Sequence, residues 1–178
     1  MFVMLKQMNK YKKICVIGNS GSGKSTLTHA LSKKYNLPTF HLDKELLHGQ
    51  FEPHPLEKQK KIHNQIISQE KWIIDGSYNK LIEDRIKRAD LVIYLNVSRL
   101  IIIPRVIKRY ILNTNRGKSV PKNAKNKLSF NFFRILLQHS RRQRLARYLE
   151  TVKKHPNTKF ISLTPASIGK WLKQIEEL

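Results

Sequence analysis

Hydrophobic and polar positions along the chain fall into two alternating kinds of segment. Short, nearly unbroken apolar runs sit at Lys12–Gly18 (KKICVIG), Leu37–Leu42, Trp72–Ile74, Asp90–Asn96 (DLVIYLN) and Lys159–Leu163. Their length, their β-branched content and the Gly, Pro or Asp at their ends predict strands covered on both faces. Between them the apolar residues recur every three or four positions. Lys24–Tyr35 puts Leu27, Ala30 and Leu31 on one helical face, and Pro55–Gln69 does the same with Leu56, Gln59, Ile62, His63 and Ile66. Ser77–Arg88 reads as a turn followed by a helix. Ser98 is placed to cap a helix running to about Leu112, which Pro104 is expected to bend or to start late. Asn113–Asn126, with Gly117 and Pro121, reads as loop, and helices are expected from Phe130 to His155 and from Pro165 onward.

Strands alternating with helices predict crossover units and a parallel sheet, hence an α/β fold. There is no internal repeat, no low-complexity block and no linker-like stretch, so residues 1–178 are expected to form one domain. In such a sheet ligands bind beyond the carboxyl ends of the strands, a rule that lines up Gly18, Asp43, Asp75 and Asn96 on one rim.

The first strand runs directly into Gly18-Asn19-Ser20-Gly21-Ser22-Gly23-Lys24-Ser25, which satisfies G-x-x-x-x-G-K-[ST] and is followed by Thr26 and a helix. Such a loop curls its N–H groups around phosphates, and the positive end of the following helix adds to their pull. Gly18, Ser20, Gly21, Ser22, Gly23, Lys24, Ser25 and Thr26 are therefore the expected nucleotide contacts. Lys24 is expected on the β- and γ-phosphates and Ser25 on Mg²⁺. A guanine-specifying Asn-Lys-x-Asp is missing, since Asn79-Lys80-Leu81-Ile82 and Asn126-Lys127-Leu128-Ser129 both lack the Asp. The expected nucleotide is ATP.

Two further acids follow strands. Asp75, at the tip of Trp72-Ile73-Ile74, is the first candidate to help Ser25 hold the metal, since magnesium at a phosphate site commonly gains a carboxylate through water. Asp43, in His41-Leu42-Asp43, is a candidate to hold or deprotonate an acceptor hydroxyl; capping the next helix would explain it nearly as well. His41, His48, His54 and His63 lack metal-ligand spacing and have no cysteine partners, so a zinc site is not expected.

Composition adds a partner class. The formal net charge is +23 at pH 7, and from Arg99 to Lys154 there are sixteen Lys and Arg against one acid, Glu150. Such a surface selects anionic partners. Kinases bring arginines over the moving phosphoryl group, often on a lid, and Arg105, Arg109 and Arg116 are the candidates, with Arg141, Arg142 and Arg144 returning on a later helix. The rival use is nucleic-acid binding through backbone phosphates, with Phe130, Phe132 and Phe133 available to stack on bases. No known nucleic-acid module accompanies it. The single cysteine, Cys15, falls in a strand and reads as core; it excludes an internal disulfide and suits a reducing cytoplasm. No apolar run reaches the roughly 18–20 residues that span a bilayer, and Met1–Lys10 has no signal-peptide pattern.

Taken together, VIGNSGSGKST at 16–26, LPTFHLD at 37–43, WIIDGSY at 72–78, RIKRADLVIYLN at 85–96 and the basic stretch at 105–118 resemble the adenylate-kinase-like branch of P-loop kinases. Within it they are most similar to bacterial topology modulation proteins (FlaR-like). The resemblance implies a three-layer P-loop sandwich with a five-stranded parallel sheet in order 2-3-1-4-5. It also implies a helical lid at about 99–147 and ATP-dependent phosphoryl transfer to a small acceptor. Asp75-Gly76 matches the Asp-Gly of nucleotide kinases, but where those carry an acceptor-gripping Arg this chain has Asn79-Lys80. The family's name carries the alternative of an ATPase acting on DNA topology.

Overall fold

A computed structural model describes residues 8–48, 52–112 and 141–177. Seven strands, β1 Lys13–Gly18, β2 Thr39–His41, β3 Leu47–His48, β4 Glu52–Pro53, β5 Trp72–Asp75, β6 Leu91–Leu95 and β7 Lys159–Leu163, are assigned among these residues. The helices are α1 Lys24–Tyr35, α2 Leu42–Glu45, α3 Leu56–Ile67, α4 Ile82–Arg88, α5 Arg99–Ile111, α6 Arg141–Lys153 and α7 Pro165–Glu177. Single 3-10 turns occupy Met8–Lys10 and Asn79–Leu81.

Five strands form one parallel sheet in the order β2-β5-β1-β6-β7. Numbered without the small β3–β4 hairpin this is 2-3-1-4-5, as the resemblance implied. Each strand alternates its apolar residues between two cores. Ile14, Val16, Ile73, Leu91, Ile93 and Leu95 face α1 and α7 through Leu27, Leu31, Ile168 and Trp171, with Ile102 and Val106 of α5 joining them. Cys15, Ile17, Ile74, Val92 and Tyr94 face α3, α4 and α6 through Ile66, Ile67, Ile82, Ile86, Tyr148 and Val152. The three layers follow from strands that are apolar on both sides and helices that are apolar on one. Burial raises the Cys15 thiol above its ordinary value, against an opposing pull from Arg85, so the residue is core.

Asp90 ties down the entry to the sheet. Its Oδ2 accepts from the backbone N–H of Lys12 at 2.8 Å and of Lys13 at 2.9 Å. Burial of Met8 and Tyr11 fixes the preceding turn against the same edge.

Two expectations change. The second strand ends at His41, one residue short, because its partner β5 ends at Asp75 and leaves nothing further to pair. Leu42 then turns inward, fully buried, and begins α2. Pro104 does not delay α5, which starts at Arg99 and runs through it. Ser98 serves the start of α5 as expected: its carbonyl accepts from Ile101 and Ile102, and its hydroxyl from the Leu100 N–H at 3.3 Å. No helix among the described residues is long and apolar enough to cross a membrane.

Candidate functional site

Beyond Gly18 the chain turns back on itself before α1. Ser22 N–H donates to the Asn19 carbonyl at 3.1 Å, and Leu27 N–H reaches the Gly23 carbonyl at 3.0 Å. Gly21 has φ +78, and a Cβ there would lie 2.9 Å from Val106 Cγ2 and 3.3 Å from Ile102 Cγ2. Both the backbone conformation and the close passage of α5 therefore require glycine. Lys24 is folded onto its own loop, with Nζ donating to the Asn19 carbonyl at 3.0 Å. Burial pulls its ammonium below the ordinary value, Asp43 and Asp75 oppose that, and Arg109 adds to it. Both carboxylates and one basic-helix arginine are thus electrostatically in touch with Lys24. Ser25 is half-buried and Thr26 exposed on the first turn of α1.

The neighbouring strand end is bolted to this loop. Ser77 Oγ accepts from the Gly18 N–H at 3.2 Å and donates to the Gly18 carbonyl at 3.0 Å. Gly76 N–H reaches the Val16 carbonyl at 3.3 Å. Gly76 has φ +121, and a Cβ on it would stand 2.9 Å from Leu42 Cβ, so the β5 turn and α2 meet at backbone distance. Asp75 is buried. Its sheet partner His41 offers Nδ1 to Oδ2 at 2.9 Å, a contact that parallel register creates and that the sequence reading did not anticipate.

Asp43 occupies the first turn of α2 rather than a strand tip, and it is exposed. Tyr78, three residues past Asp75, donates its hydroxyl to Asp43 Oδ1 at 3.1 Å. Burial drives the Tyr78 phenol well above its ordinary value, and the Asp43 charge pushes the same way. Tyr78 remains a neutral donor at physiological pH.

From the opposite side, Arg109 Nη2 donates to Ser20 Oγ at 3.5 Å. Arg105, one turn earlier on α5, is exposed and makes no hydrogen bond to a described residue. Arg142 is exposed on α6. Arg116, Phe130, Phe132 and Phe133 lie outside the described residues, as do the side chains of Arg141 and Arg144. Hollows of about 620 and 430 Å³ lie on the outer faces of α3 and α5, and neither is lined by a residue of this rim.

The AAA domain profile AAA_18 matches residues 14–159, from the first apolar residue of β1 to the start of β7. The chain belongs to the AAA_18 family. No curated protein matches it in sequence. Among solved structures, this AAA_18 chain is similar to the shikimate kinase of Acinetobacter baumannii in complex with shikimate. The TM-score is 0.56 at 16% identity, over 97% of this chain and 94% of that one. It is also similar to a putative kinase from Chloroflexus aurantiacus, with TM-score 0.51 at 9% identity over 93% and 97%. The shikimate kinase of Aquifex aeolicus gives TM-score 0.50 at 14% identity over 92% and 96%. At such identities the likeness establishes the fold, that of P-loop kinases.

The donor set for a magnesium ion fits this frame. One hydroxyl at the start of α1 and one carboxylate at the end of β5 are too few to hold a divalent cation unaided. They are what Mg²⁺ needs when phosphate oxygens and water supply its other ligands. His41 engages Asp75 Oδ2, and Oδ1 makes no hydrogen bond to a described residue.

Proposed function

We propose that this AAA_18 protein is an ATP- and Mg²⁺-dependent phosphotransferase acting on a small acceptor through a hydroxyl or phosphate group. The observation that carries this reading is the convergence on the phosphate loop: Ser77, just past Asp75-Gly76, bonds Gly18 at both its N–H and its carbonyl, Tyr78 beside it holds Asp43, and Arg109 of α5 donates to Ser20. A neighbour of the same fold was solved with shikimate bound, which supports a small-molecule acceptor.

In this reading the loop N–H groups and Lys24 hold the donor phosphates. Lys24 is kept at the loop by the Asn19 carbonyl and exchanges that bond for phosphate when the donor arrives, which puts its charge beside the bridging oxygen as that oxygen becomes negative. Ser25 and Asp75 are the residues to hold the metal, which when bound neutralises phosphate charge. His41 fixes the orientation of the Asp75 carboxylate. Asp43 faces the acceptor, accepts its proton if the acceptor is a hydroxyl, and is itself oriented by the neutral Tyr78 phenol. Arg109 approaches from the donor side, with Arg105 and Arg116 assigned to the same basic lid over about 99–147. The chemistry is positioning and electrostatics within a single domain. The order of the motifs HLD at 41–43 and WIIDGSY at 72–78 favours the topology modulation (FlaR-like) branch.

The test is incubation with γ-labelled ATP, Mg²⁺ and a panel of nucleosides, nucleotides and hydroxylated acids, beside Lys24→Ala. A labelled small molecule that the variant does not make supports the reading. Label found only as free phosphate, and rising with added DNA or RNA, overturns it in favour of a nucleic-acid-dependent ATPase.

A further inference from the structure

One charged group inside the molecule has no role in the chemistry above. Arg85, on α4, has no exposed surface at all. Its Nε, Nη1 and Nη2 are buried without a hydrogen-bond partner among the described residues, and no described carboxylate pairs with it. The other cations of α4, Lys87 and Arg88, are exposed in the usual way. Removing a guanidinium from water without a partner costs several kcal/mol, about as much as whole domains have to spare. A well-packed apolar residue at this position is the cheaper solution for stability alone.

The surroundings show what is missing. Arg85 sends its positive field onto His63 of α3, Cys15 of β1 and Tyr78 in the turn after β5. His63 is also fully buried, and neither Nδ1 nor Nε2 reaches a described group in hydrogen-bonding geometry. Burial holds the imidazole down at about 4, Arg85 pushes the same way, Asp84 and the adjacent Asn64 oppose, and Arg88 adds a little. The ring is neutral near pH 7 and retains one N–H. Arg85 brings five N–H donors and no acceptor. Together these two buried side chains offer an excess of donors and a full positive charge, a composition that an oxyanion completes and a neutral group does not. Tyr78 packs in the same buried cluster as Ile62 and Ile66 of α3 and Ile82 and Ile86 of α4, and its hydroxyl reaches Asp43, so this layer borders the Asp43 side of the rim. The nearby Asn79-Lys80 is exposed and supplies no such buried charge.

We propose that Arg85 and His63 form an anion-binding recess that takes a carboxylate or phosphate borne by the acceptor. The acceptor is thereby an anionic metabolite, anchored at Arg85 and presented to Asp43. Its link to phosphoryl transfer rests on the kinase reading; the binding of an oxyanion by these two side chains does not. Arg85 is covered in the ligand-free chain, so entry requires the side chains over it to part, and the cost of its desolvation is recovered when the anion arrives.

The experiment follows the His63 imidazole resonances of the full chain by NMR at constant ionic strength, with a non-hydrolysable ATP analogue and Mg²⁺ occupying the phosphate loop. Inorganic phosphate, acetate and chloride are titrated separately. The expected result is a saturable shift with phosphate or with acetate, not with chloride, and the responding anion names the acceptor's charged group. Arg85→Met is expected to fold with at least wild-type stability in the absence of anion and to lose the shift; Arg85→Lys keeps part of it. A flat wild-type titration with both oxyanions overturns the proposal, whatever the variants do, as does an unaltered response in Arg85→Met. Label transfer from γ-labelled ATP, measured on analogue-free protein with the acceptor panel above, separates the two readings. Transfer without an anion response sinks this inference alone, and an anion response without transfer sinks the kinase reading alone.

Discussion

The donor loop and the acceptor rim lie side by side on one sheet edge and are built on opposite plans. The donor loop is one run of residues from Gly18 to Thr26: Ser22 N–H and Lys24 Nζ both bond to Asn19 inside it, while Ser77 and Arg109 brace it from outside at Gly18 and Ser20. The rim proposed to serve metal and acceptor draws His41, Asp43, Asp75, Tyr78, His63 and Arg85 from β2, α2, β5, the turn after it, α3 and α4. Its bonds are between side chains far apart in sequence, His41 to Asp75 and Tyr78 to Asp43. A phosphate chain is the same in every donor, so backbone groups in fixed order suffice to bind it. An acceptor is chosen by its shape and charge, and only side chains can supply that choice.

Four substitutions or conditions probe this contrast. The largest effect belongs to Lys24→Ala, expected to lower turnover about a hundredfold or more, as loss of a preorganised charge over a transition state does. The thermal melt should stay near wild type; equal turnover in variant and wild type would break the donor half of the comparison.

Next is the pH dependence of folding through His63. Its folded value of about 4 lies below the ordinary unfolded value near 6.5. The unfolded chain therefore binds the extra proton first as pH falls. The stability contribution is complete above about 6.5 and is lost progressively between there and about 4, by an amount on the order of 3 kcal/mol at most. Denaturant unfolding at pH 7.5 and 5 should show the loss, and His63→Gln should flatten it. An identical slope in the variant would place His63 in water.

Gly21→Ala tests the passage of α5 over the loop. Strain at φ +78 and the 2.9 Å approach to Val106 together predict a loss of about 1–3 kcal/mol. The readouts are a lower melting temperature and weaker ATP binding. The smallest effect is expected from Tyr78→Phe, which removes one hydrogen bond from Asp43, worth about 1 kcal/mol. The KM for the acceptor should rise several-fold while that for ATP holds; a matching rise in both would show that the two halves of the rim are not separable.

How much of this could be read from the chain follows the same division. The glycine-rich loop was legible because its chemistry is local: each residue's task is fixed by neighbours one to six positions away. The strands were legible because apolar faces on both sides leave unbroken runs, and the errors are confined to ends, as at Leu42. The β3–β4 hairpin, Leu47–His48 against Glu52–Pro53, escaped because two-residue strands carry no periodicity. In sequence, His41 is only a histidine without metal-ligand spacing. Its place beside Asp75 is a matter of register between strands 34 residues apart. Arg85 looked like any basic residue late in a helix, since a helix does not declare which of its cations faces inward until its neighbours are in place.

The order of residues alone thus determined a parallel α/β sheet and a phosphate-binding loop at the end of its first strand, because periodicity, glycine conformation and motif spacing are properties of contiguous chain. Tertiary structure alone decided that His41 holds Asp75, that Tyr78 holds Asp43, that Arg109 rather than Arg105 touches the loop, and that Arg85 and His63 are both shut away from water. Those facts depend on burial and on distances between segments remote in sequence, which no local pattern encodes.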